Sequence, residues 1–166
     1  MHCASSFCSR PAPVADRAPC GLCRLTRHLI ADDLVVGSVL DAIDVHGESE
    51  YLNEIRGNIV SGGNRAGTAL GNSGGTAHEH RASGEGNWLH GNDLIVNKEG
   101  ITVILGTPET VIEENRIVSG DNSDVGIHLD DAPDTIVRGN VLVSSGDFEP
   151  LRVDEDDVDI SANLVE

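Results

Sequence analysis

The stretch Gly126-Ile127-His128-Leu129-Asp130-Asp131-Ala132-Pro133-Asp134-Thr135-Ile136-Val137-Arg138-Gly139-Asn140 decides how this chain is read. Gly126-Ile127-His128-Leu129 alternates apolar with polar. Thr135-Ile136-Val137-Arg138 is rich in β-branched residues and stops just short of Asn140. A third piece, Val141-Leu142-Val143, follows the asparagine directly. Short pieces with a period of two and β-branched side chains are strands rather than helices.

The same pattern recurs along the chain. An asparagine three residues after an apolar residue stands at Asn58, Asn92, Asn115, Asn140 and Asn163, and Asp33 takes that place one step earlier. The intervals from Asp33 onward are 25, 34, 23, 25 and 23 residues. A near-constant spacing in the twenties marks a solenoid. Positions not used to set the register agree with it. Two residues after each anchor stand Val35, Val60, Leu94, Ile117, Leu142 and Val165. Farther on come copies of a Gly-Ile-x-Leu piece: Ala42-Ile43-Asp44-Val45, Gly67-Thr68-Ala69-Leu70, Gly100-Ile101-Thr102-Val103, Gly126-Ile127-His128-Leu129 and Pro150-Leu151-Arg152-Val153.

No single coil of this kind buries enough apolar surface to stand alone. Stacked coil on coil, the strands pair in parallel and enclose a column of aliphatic side chains, rising about 4.8 Å per coil. Each inward Ile, Leu or Val then contributes roughly 1.5–3 kcal/mol of burial before conformational entropy is counted. The asparagines, each with a donor and an acceptor, are expected to stack as an amide ladder at one turn. Aspartate in place of Ile127 is expected to unfold such a domain, and aspartate in place of the outward Thr102 to be tolerated.

Composition narrows the function classes. The chain has 166 residues and 39% hydrophobic content, enough for one core, but only 2% aromatics, so the core is aliphatic. Eleven bases stand against 28 acids, for a net charge of −17. That balance speaks against nucleic acid as a partner. No apolar run is long enough for a membrane span. Many carboxylates and the single lysine, Lys98, resemble proteins of salt-loving organisms. Folding is therefore expected to tighten in molar salt, which screens self-repulsion.

The charge is uneven. Residues 1–28 hold four arginines and one acid, and also all four cysteines, Cys3, Cys8, Cys20 and Cys23. The chain accordingly divides into a Cys/Arg-rich head, 1–28, and a repeat domain, 29–166. Cys20-Gly-Leu-Cys23 has the spacing of one zinc knuckle. Two disulfides, or a leader with free thiols, are the alternative readings. The head lacks the apolar core of a secretory signal. A misassigned start codon would also produce such a segment, and the expected setting is then extracellular or at the cell surface.

The repeats look like those of right-handed parallel β-helices of the pectate-lyase-like superfamily. The resemblance covers residues 29–166, an all-β domain of about five and a half coils. That superfamily includes polysaccharide lyases, glycoside hydrolases, tailspike and surface proteins, and periplasmic proteins that help mature nitrous oxide reductase. It implies a fold and leaves the activity open. The paired-aspartate, Gly-His-Gly and Arg-x-Lys set of the hydrolases does not recur here. On the outward positions of the Gly-Ile-x-Leu column, His128 and Arg152 with Asp130 nearby are the candidate base-and-cation group.

The 34-residue interval contains an insert of about ten residues, within Gly71–Asn87. Its glycines make it a loop beside the Gly-Ile-x-Leu strand. His78-Glu79-His80 offers two imidazoles to Zn²⁺ or Cu²⁺, with His90 or Glu85 as a third ligand. Acidic turns, Asp130, Asp131 and Asp134 beneath Asp154–Asp159, are candidates for Ca²⁺ or for plain solvation. Trp88 and Tyr51 are the large aromatics available to a sugar. The leading expectation is a non-catalytic β-helix module acting at a surface or on a polysaccharide, with a fragment of a longer β-helix protein as one form of it. The alternatives are a polysaccharide lyase or glycoside hydrolase, and a metal-handling protein of the periplasmic type. Open β-helix ends are expected to favour self-association.

Overall fold

A computed structural model describes residues 27–47, 50–71 and 84–166. The described residues form seventeen strands and no helix. The first coil is β1 (Leu29–Ala31), β2 (Leu34–Val36) and β3 (Ile43–Val45). The second is β4 (Glu54–Arg56), β5 (Ile59–Ser61) and β6 (Ala66–Leu70). The third is β7 (Trp88–His90), β8 (Asp93–Ile95) and β9 (Glu99–Ile104). The fourth and fifth are β10 (Val111–Glu113), β11 (Arg116–Val118), β12 (Val125–Asp130), β13 (Thr135–Arg138), β14 (Val141–Val143) and β15 (Glu149–Val153). β16 (Val158–Ser161) and β17 (Leu164–Val165) begin a sixth.

Every third strand joins the same sheet. Three sheets result, β1-β4-β7-β10-β13-β16, β2-β5-β8-β11-β14-β17 and β3-β6-β9-β12-β15. All the pairings are parallel. This is a right-handed parallel β-helix, a three-sided solenoid, and the register is the one the asparagine spacing implies.

The core is a stack of columns. Ile30, Ile55, Leu89, Ile112, Val137 and Ile160 lie in register in the first sheet. Val35, Val60, Leu94, Ile117, Leu142 and Val165 do so in the second. Ile43, Thr68, Ile101, Ile127 and Leu151 do so in the third. Ile55, Leu89, Ile101, Ile112 and Ile127 are fully buried. Thr68 is the one polar member of its column and is buried with the rest.

Two corners of each coil share one backbone device. The residue before each anchor has a left-handed backbone: Asp32, Gly57, Gly91, Glu114, Gly139 and Ala162, with φ of 60, 63, 60, 55, 64 and 54°. One such residue between two extended ones turns the chain sharply from the first sheet into the second. The corner leading into the first sheet repeats it at Arg27, Leu52, Gly86, Glu109 and Asp134.

The glycine of the Gly-Ile-x-Leu piece has a different cause. A Cβ on Gly126 would lie 2.4 Å from the Pro150 carbonyl oxygen and 2.7 Å from a Leu142 methyl, and one on Gly100 would lie 2.4 Å from the Gly126 oxygen. The backbone of the next coil in the third sheet and a core side chain from the second sheet (Leu142 or Ile117) together leave no room here for a side chain. In the motif, glycine is a packing requirement rather than a turn signal.

Candidate functional site

The outer face of the third sheet brings the column Asp44, Ala69, Thr102, His128 and Arg152 into register. His128 is thus paired with Arg152 across adjacent coils. Its side chain is largely covered and sits between two carboxylates, with Nδ1 3.7 Å from Glu99 Oε2 and Nε2 3.6 Å from Asp154 Oδ2. Arg152 turns instead to Glu149, with Nε donating at 2.8 Å. Asp130, two residues along β12 from His128, is exposed. The imidazole therefore faces Asp154 and Glu99, and the guanidinium is already neutralised by Glu149.

Thr102 departs from expectation. It faces outward, but is only 6% exposed, and its hydroxyl donates to Glu99 Oε2 at 2.6 Å. Ala69 and Ile104, on the same outer face, are also buried. A carboxylate at 102 would stand against Glu99 in a covered position, so a cost is expected there that facing alone does not predict.

The insert has well-defined roots. On its N-terminal side Gly71 N–H donates to the Val45 carbonyl at 3.0 Å. On its C-terminal side Gly84 N–H donates to the Glu50 carbonyl at 3.2 Å, and Leu52 N–H to the Glu85 carbonyl at 2.9 Å. Both ends of the insert are therefore pinned to the turn that follows β3, on either side of His46. Within that turn His46 Nδ1 lies 3.2 Å from Asp44 Oδ1, and the His46 backbone N–H donates to Glu50 Oε2 at 2.9 Å. Burial pushes the carboxyls of Asp44 and Glu50 above their ordinary values, against the opposing pull of His46. His78 and His80 lie outside the described residues, as do Cys20 and Cys23.

His90 is engaged elsewhere. On the outer face of the first sheet its ring stacks on Trp88, with centroids 3.8 Å apart and planes 19° apart. Its Nε2 is 3.0 Å from Glu54 Oε1. Trp88 Nε1 donates to Glu113 Oε1 at 2.8 Å, and Arg138 Nε to Glu113 Oε2 at 2.6 Å. The Arg138 guanidinium holds the Glu113 carboxyl below its ordinary value. Sequence reasoning had no access to this strip, because its members meet only once the strands are paired. The same is true of His46, which carries no motif. Its place beside the insert roots follows from backbone hydrogen bonds alone.

Acidic turns of the fifth and sixth coils, Asp134 with Asp156, Asp157 and Asp159, line one shallow cleft. Among the described residues no three His, Cys, Asp or Glu side chains converge as a metal would require, and no helix is long and apolar enough to cross a membrane. The described residues by themselves therefore do not make a metal centre. Any such centre needs donors from outside them.

Over residues 28–165 the chain matches the family model described as periplasmic copper-binding protein (NosD), and it belongs to that family. No curated protein and no solved structure matches it.

Proposed function

We propose that this member of the family is a non-catalytic, copper-handling β-helix. The coils serve as a rigid scaffold, and copper is a cargo taken up at the insert. His78 and His80 supply two imidazoles, and His46, between the insert roots, supplies a third nitrogen. Imidazole suits copper ions, and three donors from a loop and its base are enough to hold one. Asp44, against His46 Nδ1, would orient the ring and leave its other nitrogen for the metal, as carboxylates do behind metal-binding histidines. The observation that carries the reading is the pinning of both insert roots around His46.

The test is copper stoichiometry by elemental analysis after equilibrium dialysis of the full chain. The parent is expected to retain copper, and the His78→Ala/His80→Ala double variant to lose it. A parent without copper, or a double variant with as much as the parent, overturns the proposal.

Surface interaction is a second reading, favoured by the Trp88 strip. An indole stacked on His90 and tied to Glu113 is a fixed aromatic platform, of the kind that sugars and protein side chains use. Trp88 is the only tryptophan of the chain, so its fluorescence reports directly on any polysaccharide laid across it. An unchanged emission spectrum on titration with a panel of neutral and acidic polysaccharides counts against that reading.

A further inference from the structure

The first two coils carry an apolar patch that the solenoid does not use. Leu34 and Ile59 sit side by side in register on the outer face of the second sheet, with Val36 on the same face. Val39 and Leu40, in the turn that follows β2, are exposed as well. Leu34, Val36 and Val39 are 70, 68 and 77% exposed. Five exposed aliphatic residues gathered at one end of so acidic a protein mark a docking surface. Asp32 and Asp33, both exposed, stand beside it.

We propose that the occupant is residues 1–26 of this same chain. That segment carries three arginines against one aspartate, in a protein whose remainder is strongly acidic. It also carries Phe7, Val14, Leu22 and Leu25, side chains able to cover an aliphatic patch. It joins the solenoid on the correct coil, since Arg27 N–H donates to the Tyr51 carbonyl at 3.0 Å just before β1. Twenty-six residues reach up to roughly 85 Å when extended, several times the width of one coil. Apolar contact and charge attraction thus act on the same segment, and the link makes the encounter intramolecular. The docked head gives the first coil a cover, and it holds all four cysteines of the protein against that coil.

Those cysteines supply the probe. In the full-length reduced protein, with a chelator present to remove metal protection, thiol reactivity is measured with a colorimetric disulfide reagent. The parent is expected to react at least about tenfold more slowly than the same protein in denaturant, as groups shielded by docking do. Leu34→Asn and Val39→Asn alter exposed positions without changing charge. They are expected to restore the fast rate while the β-type circular dichroism stays that of the parent. Fast thiols in the parent, or protection that the two variants leave intact, overturns the proposal. So does protection that rises with protein concentration alongside a dimer mass in light scattering, which would assign the patch to a second copy.

Discussion

The two corners that flank the first sheet have the same backbone and different side chains. Past the first corner every coil places a polar residue of one kind. Asn58, Asn92, Asn115, Asn140 and Asn163 hydrogen-bond in sequence, each Nδ2 donating to the next Oδ1 at 2.8–3.0 Å. Each Oδ1 also accepts the backbone N–H of the residue one coil earlier, as Asn115 Oδ1 does from Asn92 at 3.0 Å. The second Nδ2 hydrogen goes to a backbone carbonyl, such as Leu89 for Asn115. Both donors and the acceptor are engaged, and the pattern passes intact from coil to coil. Asp33 begins the column as its backbone N–H donates to Asn58 Oδ1.

The other corner starts in the same way and then changes. Asn53 Nδ2 donates to Asn87 Oδ1 at 3.0 Å, but Asn87 turns its own amide to the Gly84 carbonyl at 2.7 Å. Thr110 and Thr135 follow at the equivalent places, fully buried, and their hydroxyls have no hydrogen-bond partner. Val158 then stands in register with Thr135. Asp157, before Val158, lacks the left-handed backbone, and at the corners that keep it Thr110 and Thr135 stand unpartnered, so the left-handed corner does not itself demand a hydrogen-bonded side chain. An amide is long enough, and has donors enough, to bridge about 4.8 Å to the next coil, and at this corner the Thr110 and Thr135 hydroxyls do not make that bridge. One corner is a hydrogen-bonded spine, and the other is tolerant filling.

Both corners depend on the aliphatic bore, and the largest effect should come from destroying it. Ile127→Asp buries an unpaired carboxylate between Ile101 and Leu151, and loss of cooperative unfolding in a urea titration is expected. A native-like transition would show that the bore is not where the stability lies. Next comes the spine. Asn115→Ala leaves the Asn92 N–H and one Asn92 amide hydrogen without their partner and takes one donor away from the Leu89 carbonyl. A loss of about 3 kcal/mol or more in the urea midpoint analysis is expected, at about 1–3 kcal/mol for each orphaned group.

An intermediate loss, about 1–3 kcal/mol, is expected for Thr102→Asp, which sets a second carboxylate against Glu99 on the covered outer face. The same titration run in molar salt should recover part of it, since the repulsion is screened. The smallest effect belongs to the tolerant corner. Thr110→Val replaces an unpartnered hydroxyl with a methyl of similar shape, and a change within about 1 kcal/mol is expected. A loss as large as that of Asn115→Ala would abolish the distinction between the corners.

The spine was legible in the sequence because its residue identity repeats. The period followed from Asn58, Asn92, Asn115, Asn140 and Asn163, and the inward columns followed from the period. The second corner was not legible. Its places are filled by Asn53, Asn87, Thr110, Thr135 and Val158, which share no residue identity, and the first four are related by the left-handed residue before them. The outward positions of the third sheet were assigned correctly, but facing does not give exposure, as Thr102 shows. For the candidate site the sequence pointed to the insert and its histidines. It gave no sign of His46, whose relevance lies in where Gly71 and Gly84 anchor, nor of the Trp88–His90 stack, which needs the rotamers that strand pairing imposes.

The most direct test is hydrogen exchange of side-chain amides, followed by NMR in heavy water. Protons on the Nδ2 atoms of Asn92, Asn115 and Asn140 are expected to persist on the timescale of the most protected backbone amides, because each is held between coils and freed only when coils separate. Side-chain amides that exchange as fast as those of an exposed asparagine, while the backbone of β8, β11 and β14 stays protected, would contradict the spine and with it this account of how the coils are joined.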